Sequence, residues 1–324
     1  MDVVETAWRL ADDVLFPAAL ETDRCDVVPV DVLDALAEAG LYGLAAPAAL
    51  GGFDADLRTV CEVQEALASG CLTSAFLWAQ HLGLVHVLSE IGGSVGDEWL
   101  GRLALGEVRA GLALGGALPE PTLHARETED GWLLDGISPF VSGWGRIDVV
   151  HTAARTADDD IAWLIVDAVA GPSLRVDRLQ LFALNATATV AARFEGLLVP
   201  YERMTTRHPA GGATPAEVLR LHAALALGVA HRCLRLLGPT PLDDELAAVR
   251  AQLDELGPGI AAARASAGEL AVRAAAALMV ATGSRSLLLT NHAQRLAREG
   301  LFTLVYALCP QSRDAVSVLL QRRK

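Results

Sequence analysis

Cysteine and histidine side chains can bind metals, take part in redox chemistry or act as nucleophiles. This sequence has five cysteines and eight histidines. The cysteines are Cys25, Cys61, Cys71, Cys233 and Cys309. They form no Cys-x-x-Cys pair, so their spacing predicts neither a zinc site nor a redox dithiol and favours small buried apolar side chains. His81 and His86 lie five residues apart, a poor spacing for two ligands on one helix face, and we expect no metal ion there.

Acidic residues outnumber basic residues by 40 to 26, which gives a formal net charge of -14 at pH 7. Nucleic-acid binding requires a basic face, so this balance argues against a nucleic-acid partner. The longest apolar runs, such as Leu112–Leu118 and Ala274–Ala281, are shorter than the roughly 20 residues that span a bilayer. Asp2 and Glu5 stand where a secretory signal would be basic. We therefore expect a cytoplasmic protein without a membrane segment.

Apolar residues recur at helical spacing over residues 3–105, with interruptions at prolines and at pairs of glycines. The pattern predicts a bundle of several helices. One of them is expected over residues 32–39, with Asp31 as its N-cap. Two more are expected within Arg58–Ile91, separated near Gly70.

Short runs rich in β-branched and aromatic residues begin near Glu107 and lie between turn residues. They predict five strands: Ala110–Leu114, Gly131–Leu134, Val149–Ala153, Ala162–Val166 and Val190–Phe194. The run Glu129-Asp130-Gly131 has the character of a tight hairpin turn in front of the second strand. The strands together predict a compact β module.

Helical periodicity returns after a segment rich in glycine and proline near residue 210. It predicts five helices: Glu217–Leu237, Asp243–Leu256, Ile260–Gly283, His292–Leu308 and Arg313–Gln321. The chain is therefore expected to be mainly α with a β-barrel-like middle domain, divided into residues 1–106, 107–208 and 209–324. The back-half helices are apolar around much of their circumference, which favours an oligomer because a monomer would leave them exposed.

Several local stretches occur in the order and spacing of one known family. They are Leu41–Pro47 with Gly51-Gly52, Trp99–Glu107, Asp130–Gly136 followed by Phe140-Val141-Ser142-Gly143, Phe194–Pro200, Leu227–Ala230, and Gln294–Glu299 followed by Val305-Tyr306. In this order they resemble the acyl-CoA dehydrogenases from about residue 41 to 321. The resemblance implies an α bundle, a β domain and a second α bundle, with FAD as cofactor and an acyl-CoA or a carrier-bound acyl thioester as substrate.

The chemistry of that family requires a base that takes a proton from the carbon next to the thioester carbonyl. The base is a carboxylate in an apolar pocket, where desolvation adjusts its pKa. In much of the family it belongs to a Tyr-Glu-Gly-Thr run, and the matching run here is Tyr306-Ala307-Leu308-Cys309, with Ala307 at the base position. Other members carry the base on the first long back-half helix, where Val218 matches. Glu217, about 100° away around that helix, is the candidate base, and the alternative is a charge that complements the helix dipole.

The family's flavin contacts are matched in part. The resemblance implies that Phe140 and Ser142 provide an aromatic wall and a hydroxyl group for the flavin, and the alternatives are a core aromatic and a turn residue. Leu114–Pro121 replaces the flavin-contacting segment of the middle domain, is shorter and lacks its hydroxyl groups.

The back half of the chain contains further candidates for cofactor contact. Thr282 and Gly283 lie where a glycine-bearing segment of the family contacts the FAD of a partner subunit, and small residues suit such an approach. The family's Arg-x-x-Phe-Gly loop has no evident counterpart over residues 242–277. Arg250 and Arg264 are expected to be solvated helix charges, with pyrophosphate binding as the alternative.

Three functions remain open at this point. The first is an FAD-dependent oxidoreductase that acts on an acyl thioester. The second is a catalytically degenerate subunit that pairs with a complete acyl-CoA dehydrogenase in a hetero-oligomer, which the missing carboxylate at Ala307 favours. The third is a flavin-dependent monooxygenase on the same fold, which needs no carboxylate base. In the family the back-half helices build a dimer or tetramer, so we expect a homo- or hetero-oligomer.

Overall fold

The front part of the chain is a helical bundle in a computed structural model that describes residues 2–321. It contains α1 (Val3–Leu10), α2 (Phe16–Arg24), α3 (Val30–Glu38), α4 (Leu57–Gly70), α5 (Leu72–Ile91) and α6 (Gly93–Ala104). A π-helical turn, Ala11–Leu15, joins α1 to α2. This turn lies against Gly70, where a Cβ atom would come within 2.8 Å of the Ala11 carbonyl oxygen. The predicted break between two helices near Gly70 is confirmed.

The start of α3 differs from the prediction. Pro29 occupies the N-cap position and Asp31 lies in the first turn, so the prediction that Asp31 caps the helix is wrong. A proline with its fixed φ is suited to the first positions of a helix, and an acidic side chain in the first turn complements the helix dipole. Asp31 therefore favours the same helix by its charge and not by a capping hydrogen bond.

The middle of the chain forms one eight-stranded sheet. Its strands are β1 (Ala110–Ala113), β2 (Leu123–Thr128), β3 (Gly131–Val141), β4 (Val149–Arg155), β5 (Asp160–Asp167), β6 (Leu174–Arg178), β7 (Val190–Val199) and β8 (Met204–Pro209). Seven of them follow the order β6-β7-β3-β2-β4-β5-β8, and β1 pairs with β4 in parallel. The two end strands of this path do not pair with each other within the described chain, so the sheet is open and not closed like a barrel.

Three of these strands were not predicted. Two of them, β6 and β8, are the edges of the sheet, and charged residues such as Arg175, Asp177 and Arg207 interrupt their apolar pattern. Charged side chains on an edge strand discourage pairing with other chains, so the weak strand signal has a physical reason. The predicted hairpin is confirmed, because Thr128 pairs with Gly131 across the turn between β2 and β3.

The back part of the chain is helical again. Its helices are α7 (Ala216–Leu237), α8 (Leu242–Asp254), α9 (Ile260–Thr282), α10 (His292–Val305) and α11 (Pro310–Gln321). Helix α9 packs against the other four. With the 3-10 turn that follows it, Ile260–Leu287 is long and apolar enough to cross a membrane by length and composition alone. A core helix meets the same criterion, and α9 buries Ala267, Leu270 and Ala274 inside the bundle.

The front and back helices share one hydrophobic core. The largest cluster of buried apolar residues contains members of α1 to α5 and of α7 to α10, whereas the sheet has a separate cluster of its own. Helices α4 and α7 approach closely at Gly228, where a Cβ atom would lie 2.4 Å from the Glu65 carbonyl oxygen. The division of the chain at residues 106/107 and 208/209 stays a prediction.

Candidate functional site

A chain of three buried hydroxyl groups lies at the end of β3. The Oγ atom of Ser142 is 2.7 Å from Oγ1 of Thr189, which is 2.7 Å from Oγ1 of Thr187. The Thr187 hydroxyl donates to the carbonyl oxygen of Leu184 at 2.8 Å. The backbone N–H of Gly143 also donates to the carbonyl oxygen of Thr187, so the turn after β3 is fixed to the segment in front of β7.

The number of protons on these three hydroxyl groups determines which group donates each hydrogen bond. Each hydroxyl group has one proton to donate. Since Thr187 gives its proton to Leu184, Thr189 must donate to Thr187, and Ser142 must donate to Thr189. The free lone pair at Ser142 Oγ can therefore accept a hydrogen bond from a further group, whereas its proton is already committed.

Phe140 lies two residues before Ser142 and points away from the sheet core. Its side chain is 64% exposed, so the alternative that it is a core aromatic is wrong. Phe182, in the loop between β6 and β7, is a second exposed aromatic side chain. An exposed phenyl ring supplies an apolar face to a planar ligand.

The loop between β1 and β2, which replaces the family's flavin-contacting segment, packs closely on the sheet. A Cβ atom on Gly115 would lie 2.6 Å from the Ile137 carbonyl oxygen, and one on Gly116 would lie 2.4 Å from the Cα atom of Ala154. Arg155 also donates hydrogen bonds to the Gly116 and Leu118 carbonyl oxygens. The glycines of this loop are thus explained by packing.

The connection between α10 and α11 contains Ala307, the residue at the expected base position. Ala307 is exposed and adopts a left-handed φ of +48°. The preceding residue, Tyr306, contacts a cluster of rings: Phe76 at a centroid distance of 5.1 Å, His222 at 5.2 Å and Phe302 at 5.5 Å. Burial raises the pKa of Tyr306 to about 12, so its phenol stays neutral near pH 7.

Helix α5 brings the Ser142 and Ala307 regions together. Phe76 of this helix packs edge-on against Tyr306. The next residue, Leu77, lies at the turn after Ser142, because a Cβ atom on Gly143 would be 3.4 Å from its Cδ2 atom. The end of β3 and the end of α10 therefore approach adjacent residues of one helix.

Arg264 of α9 holds the end of α10. Its Nη2 atom donates to the carbonyl oxygens of Thr303 at 3.0 Å and Tyr306 at 2.5 Å. The side chain is 1% exposed, and its Nε and Nη1 atoms have no hydrogen-bond partner within residues 2–321. The prediction of a solvated charge is therefore wrong for Arg264.

Cys309 lies immediately before α11 in the same connection. The backbone N–H of Ser312 donates to its Sγ atom at 3.4 Å, and the Ser312 hydroxyl is 3.1 Å from it. Burial raises the pKa of the Cys309 thiol, but the hydrogen bonds from Ser312 and the backbone lower it further, so the net pKa is below its usual range. Cys61, Cys71 and Cys233 are buried as expected, whereas Cys309 and Cys25 are only partly buried.

The other predicted site residues lie elsewhere. Glu217 is exposed in the first turn of α7 and lacks the apolar surroundings that a base requires. Thr282 and Gly283 end α9, where Gly283 has a left-handed φ of +67°. At 1.5 Å per residue, Thr282 is about 27 Å along the helix from Arg264. Thr282 and Gly283 therefore belong to a different surface from Tyr306 and Ala307.

Arg250 takes part in a buried ion cluster and is not a solvated charge. It donates to Oε2 of Glu65 at 2.8 and 2.9 Å, and Arg220 donates to Oε1 of the same carboxylate at 3.0 Å. Glu65 and Arg220 are both buried. The cluster connects α4, α7 and α8 and leaves no free oxygen on Glu65 for chemistry.

His81 has a structural position. Its Nδ1 atom accepts from the backbone N–H of Ala110, and its Nε2 atom lies 3.1 Å from the Leu103 carbonyl oxygen, so Nε2 carries the proton. Burial lowers the pKa of His81 to about 3. Among the residues that the structure describes, no group of three His, Cys, Asp or Glu side chains is placed to hold a metal ion.

Comparison with known proteins shows which family this chain is similar to. Residues 2–107 match the model of the acyl-CoA dehydrogenase N-terminal domain. The chain is 24% identical over 236 residues to 3-sulfinopropanoyl-CoA desulfinase of Paraburkholderia xenovorans (strain LB400), which covers 70% of this chain and 61% of the relative. It is 24% identical to benzylmalonyl-CoA dehydrogenase of Aromatoleum aromaticum (strain DSM 19018 / LMG 30748 / EbN1), over 72% of this chain and 65% of that relative. The chain is therefore similar to the acyl-CoA dehydrogenase family, through the match of residues 2–107 and through relatives that align with about 70% of its length.

Solved structures show that the whole chain has the acyl-CoA dehydrogenase fold. Butyryl-CoA dehydrogenase of Megasphaera elsdenii superimposes with a TM-score of 0.82 at 18% identity, over 99% of this chain and 97% of that chain. The nitrososynthase of Micromonospora carbonacea var. africana gives 0.78 at 22% identity, over 98% and 95%. The chain spans less than two thirds of the length of the two curated relatives. The similar proteins include a desulfinase and a nitrososynthase, so similarity to this family does not fix the reaction.

Proposed function

We propose that the chain is an FAD-dependent oxidoreductase that acts on an acyl-CoA or on a carrier-bound acyl thioester. The observation that carries the proposal is the approach of two regions to α5: the Ser142 hydroxyl chain at Leu77 and the Tyr306–Cys309 connection at Phe76. A flavin and an acyl group must lie side by side in such a reaction.

The residues at the end of β3 fit a flavin. The exposed ring of Phe140 supplies an apolar wall, and the free lone pair of Ser142 Oγ would accept from a ring N–H. A reduced flavin has such an N–H at N5, so this hydrogen bond would favour the reduced state. When bound, the flavin supplies the acceptor for the hydride.

Thr282 and Gly283 would contact the FAD of a partner subunit in an oligomer. Large apolar side chains surround them on the surface: Val280, Leu287, Leu288 and Leu289 are all exposed. A contiguous exposed apolar surface of this kind is typical of subunit interfaces. We propose a cytoplasmic homo- or hetero-oligomer of acyl-CoA dehydrogenase-like subunits, and the formal net charge of -14 argues against a nucleic-acid partner.

One observation favours the second candidate, a degenerate subunit that completes the site of a full acyl-CoA dehydrogenase. Ala307 cannot accept a proton, and Glu217 is exposed to solvent. A carboxylate in water lacks the apolar surroundings that make such a group an effective base for a C–H bond. A flavin-dependent monooxygenase, the third candidate, has no specific observation in its favour.

The visible spectrum of the purified chain separates the first two candidates. An autonomous oxidoreductase is expected to be yellow with about one flavin per chain, because Phe140 and Ser142 belong to the chain itself. A colourless preparation that becomes yellow only when it is co-purified with a second acyl-CoA dehydrogenase-like chain would contradict the first candidate and support the degenerate subunit.

A further inference from the structure

The charge of Arg264 has no carboxylate partner. Within residues 2–321 it forms no ion pair, and two of its three nitrogen atoms have no hydrogen-bond acceptor although the side chain is fully buried. A buried cation without an anion is costly, and burial lowers the pKa of Arg264 accordingly. The groups whose negative charge would stabilise it are Tyr306 and Cys309.

The pKa values of these two groups are shifted in opposite directions. Burial raises the pKa of Tyr306 to about 12, so the phenol stays protonated. The pKa of Cys309 is lowered overall, because the Ser312 hydrogen bonds and the first turn of α11 favour its thiolate. Cys309 is also partly accessible, unlike Cys61, Cys71 and Cys233.

The position of Cys309 points to a role in proton transfer. It lies two residues beyond Ala307 in the connection that Arg264 fixes through the Tyr306 carbonyl oxygen. We propose that the Cys309 thiolate is the base that removes the proton next to the thioester carbonyl, in place of the carboxylate that Ala307 lacks. The inference rests on the proposed function for its substrate class, an acyl thioester.

The proton-transfer step is balanced without an oxidant. The Cα–H bond of the acyl group breaks, an S–H bond forms on Cys309, and the electron pair of the broken bond moves to the thioester carbonyl oxygen as an enolate. Return of a proton from the thiol to the α carbon reverses the step. In deuterated water the thiol exchanges with solvent, so the reversal places deuterium on the α carbon.

His222, Tyr306 and Arg264 face this connection from α7, α10 and α9, and they suit a thiolate better than an imidazole base. Burial, together with the nearby charge of Arg264, lowers the pKa of His222 to about 4. A proton on His222 would therefore place a second cation beside the guanidinium. A proton on Cys309 instead neutralises a negative charge and adds no cation. On its own helix, Ser312 is buried and contacts the Cys309 Sγ atom, whereas Arg313 and Asp314 are exposed.

Deuterium incorporation into butyryl-, hexanoyl- and octanoyl-CoA, measured by mass spectrometry after incubation with the full chain in deuterated water, tests the proposal. Cys309→Ser retains an N-cap side chain for α11, so its fold should persist. We expect it to slow exchange by about 10² or more, the usual effect of losing a general base. Cys309→Asp, which restores an anion, should recover part of the rate. Cys25→Ser, at the other partly buried cysteine, should match the unmodified chain.

Alkylation with iodoacetamide at several pH values, followed by peptide mass spectrometry, gives a second readout that needs no substrate. Arg264→Met should raise the pH at which Cys309 reacts, whereas Arg264→Lys should not. Exchange that survives Cys309→Ser but is lost in Glu217→Gln, absence of exchange with all three thioesters, or an unchanged pH dependence of Cys309 alkylation in Arg264→Met would overturn the proposal. Exchange that depends on Cys309 without any flavin reduction would support the base and contradict the proposed oxidation.

Discussion

The guanidinium of Arg264 donates to the carbonyl oxygen of Tyr306 at 2.5 Å, and this hydrogen bond fixes the backbone one residue before Ala307. The last carbonyl groups of a helix have no intrahelical partner, so a buried arginine at this place ends α10 and directs the chain into the left-handed turn at Ala307. The backbone of the expected base position is therefore set from α9. Ala307 itself carries only a methyl group, so no carboxylate stands at this position.

Close packing of α4 on α7 predicts a strong effect at Gly228. In Gly228→Ala the new Cβ atom would meet the Glu65 carbonyl oxygen at 2.4 Å, and backbone cannot move aside as a side chain can. We expect the free energy of unfolding to fall by about 1 to 3 kcal/mol in urea titrations. Gly83→Ala, in α5 with nothing within 4 Å, should instead raise it by about 0.5 to 1 kcal/mol. Equal effects of the two changes would contradict the packing.

The buried ion cluster predicts a second stability effect. Glu65→Gln would remove the buried carboxylate that joins Arg220 and Arg250, and Arg220 would keep only its ion pair with the partly exposed Asp254. We expect a loss of about 3 kcal/mol in the free energy of unfolding, the lower end of the range for a broken buried pair. Glu62→Gln, on the same helix but in an exposed pair with Arg58, should change it by less than about 0.5 kcal/mol. A small effect of Glu65→Gln would mean that water reaches the cluster.

Two buried histidines predict loss of stability in acid. Burial lowers the pKa values of His81 and His151 to about 3, whereas the unfolded chain binds a proton at about 6.5. The unfolded chain therefore gains protons at these histidines before the folded chain does, and the free energy of unfolding falls as the pH drops from 6.5 towards 3. At pH 5 each histidine lowers the free energy of unfolding by about 2 kcal/mol relative to pH 7. In urea titrations His81→Gln should reduce the difference in stability between pH 7 and pH 5, and His86→Gln, exposed on the same helix, should not. An unchanged difference in His81→Gln would refute the assignment.

The hydroxyl chain predicts a selective effect on flavin affinity. Ser142→Ala removes the hydrogen-bond acceptor and should weaken flavin binding by about 0.5 to 1.5 kcal/mol, or roughly two- to tenfold in the dissociation constant. Ser138→Ala is the matched control, because Ser138 is buried in the same strand and its hydroxyl has no partner within the described chain. Flavin fluorescence during dilution measures both constants. If the control weakened binding as much as Ser142→Ala, the loss would come from the strand and not from the hydroxyl group.

Local pattern was enough to predict most of the helices and every strand except β2, β6 and β8. The period of the apolar residues gives α7 and α9 almost to the residue, because these helices bury a broad face. The edge strand β6 was missed since Arg175 and Asp177 hide its alternation. Asp31 was misplaced because proline and aspartate are both helix-start residues and only the backbone decides which one is the cap.

The site was predictable only in part. Phe140 and Ser142 are candidates through their resemblance to a known pattern. Thr189, which orders the Ser142 hydroxyl, is 47 residues away in sequence and carries no local signal. Arg264 was expected in solvent because a charged residue in an alanine-rich helix usually is. Its burial depends on the end of α10, about 40 residues later, and no spacing within α9 reveals it.

Anaerobic titration of the purified yellow chain with a series of acyl-CoA thioesters tests the central claim most directly. The visible absorbance of the oxidised flavin reports the reaction without any external electron acceptor. We expect at least one saturated acyl-CoA to bleach the flavin and to yield its α,β-unsaturated thioester in equal amount. A chain that carries no flavin, or a bound flavin that no acyl-CoA reduces, would contradict it.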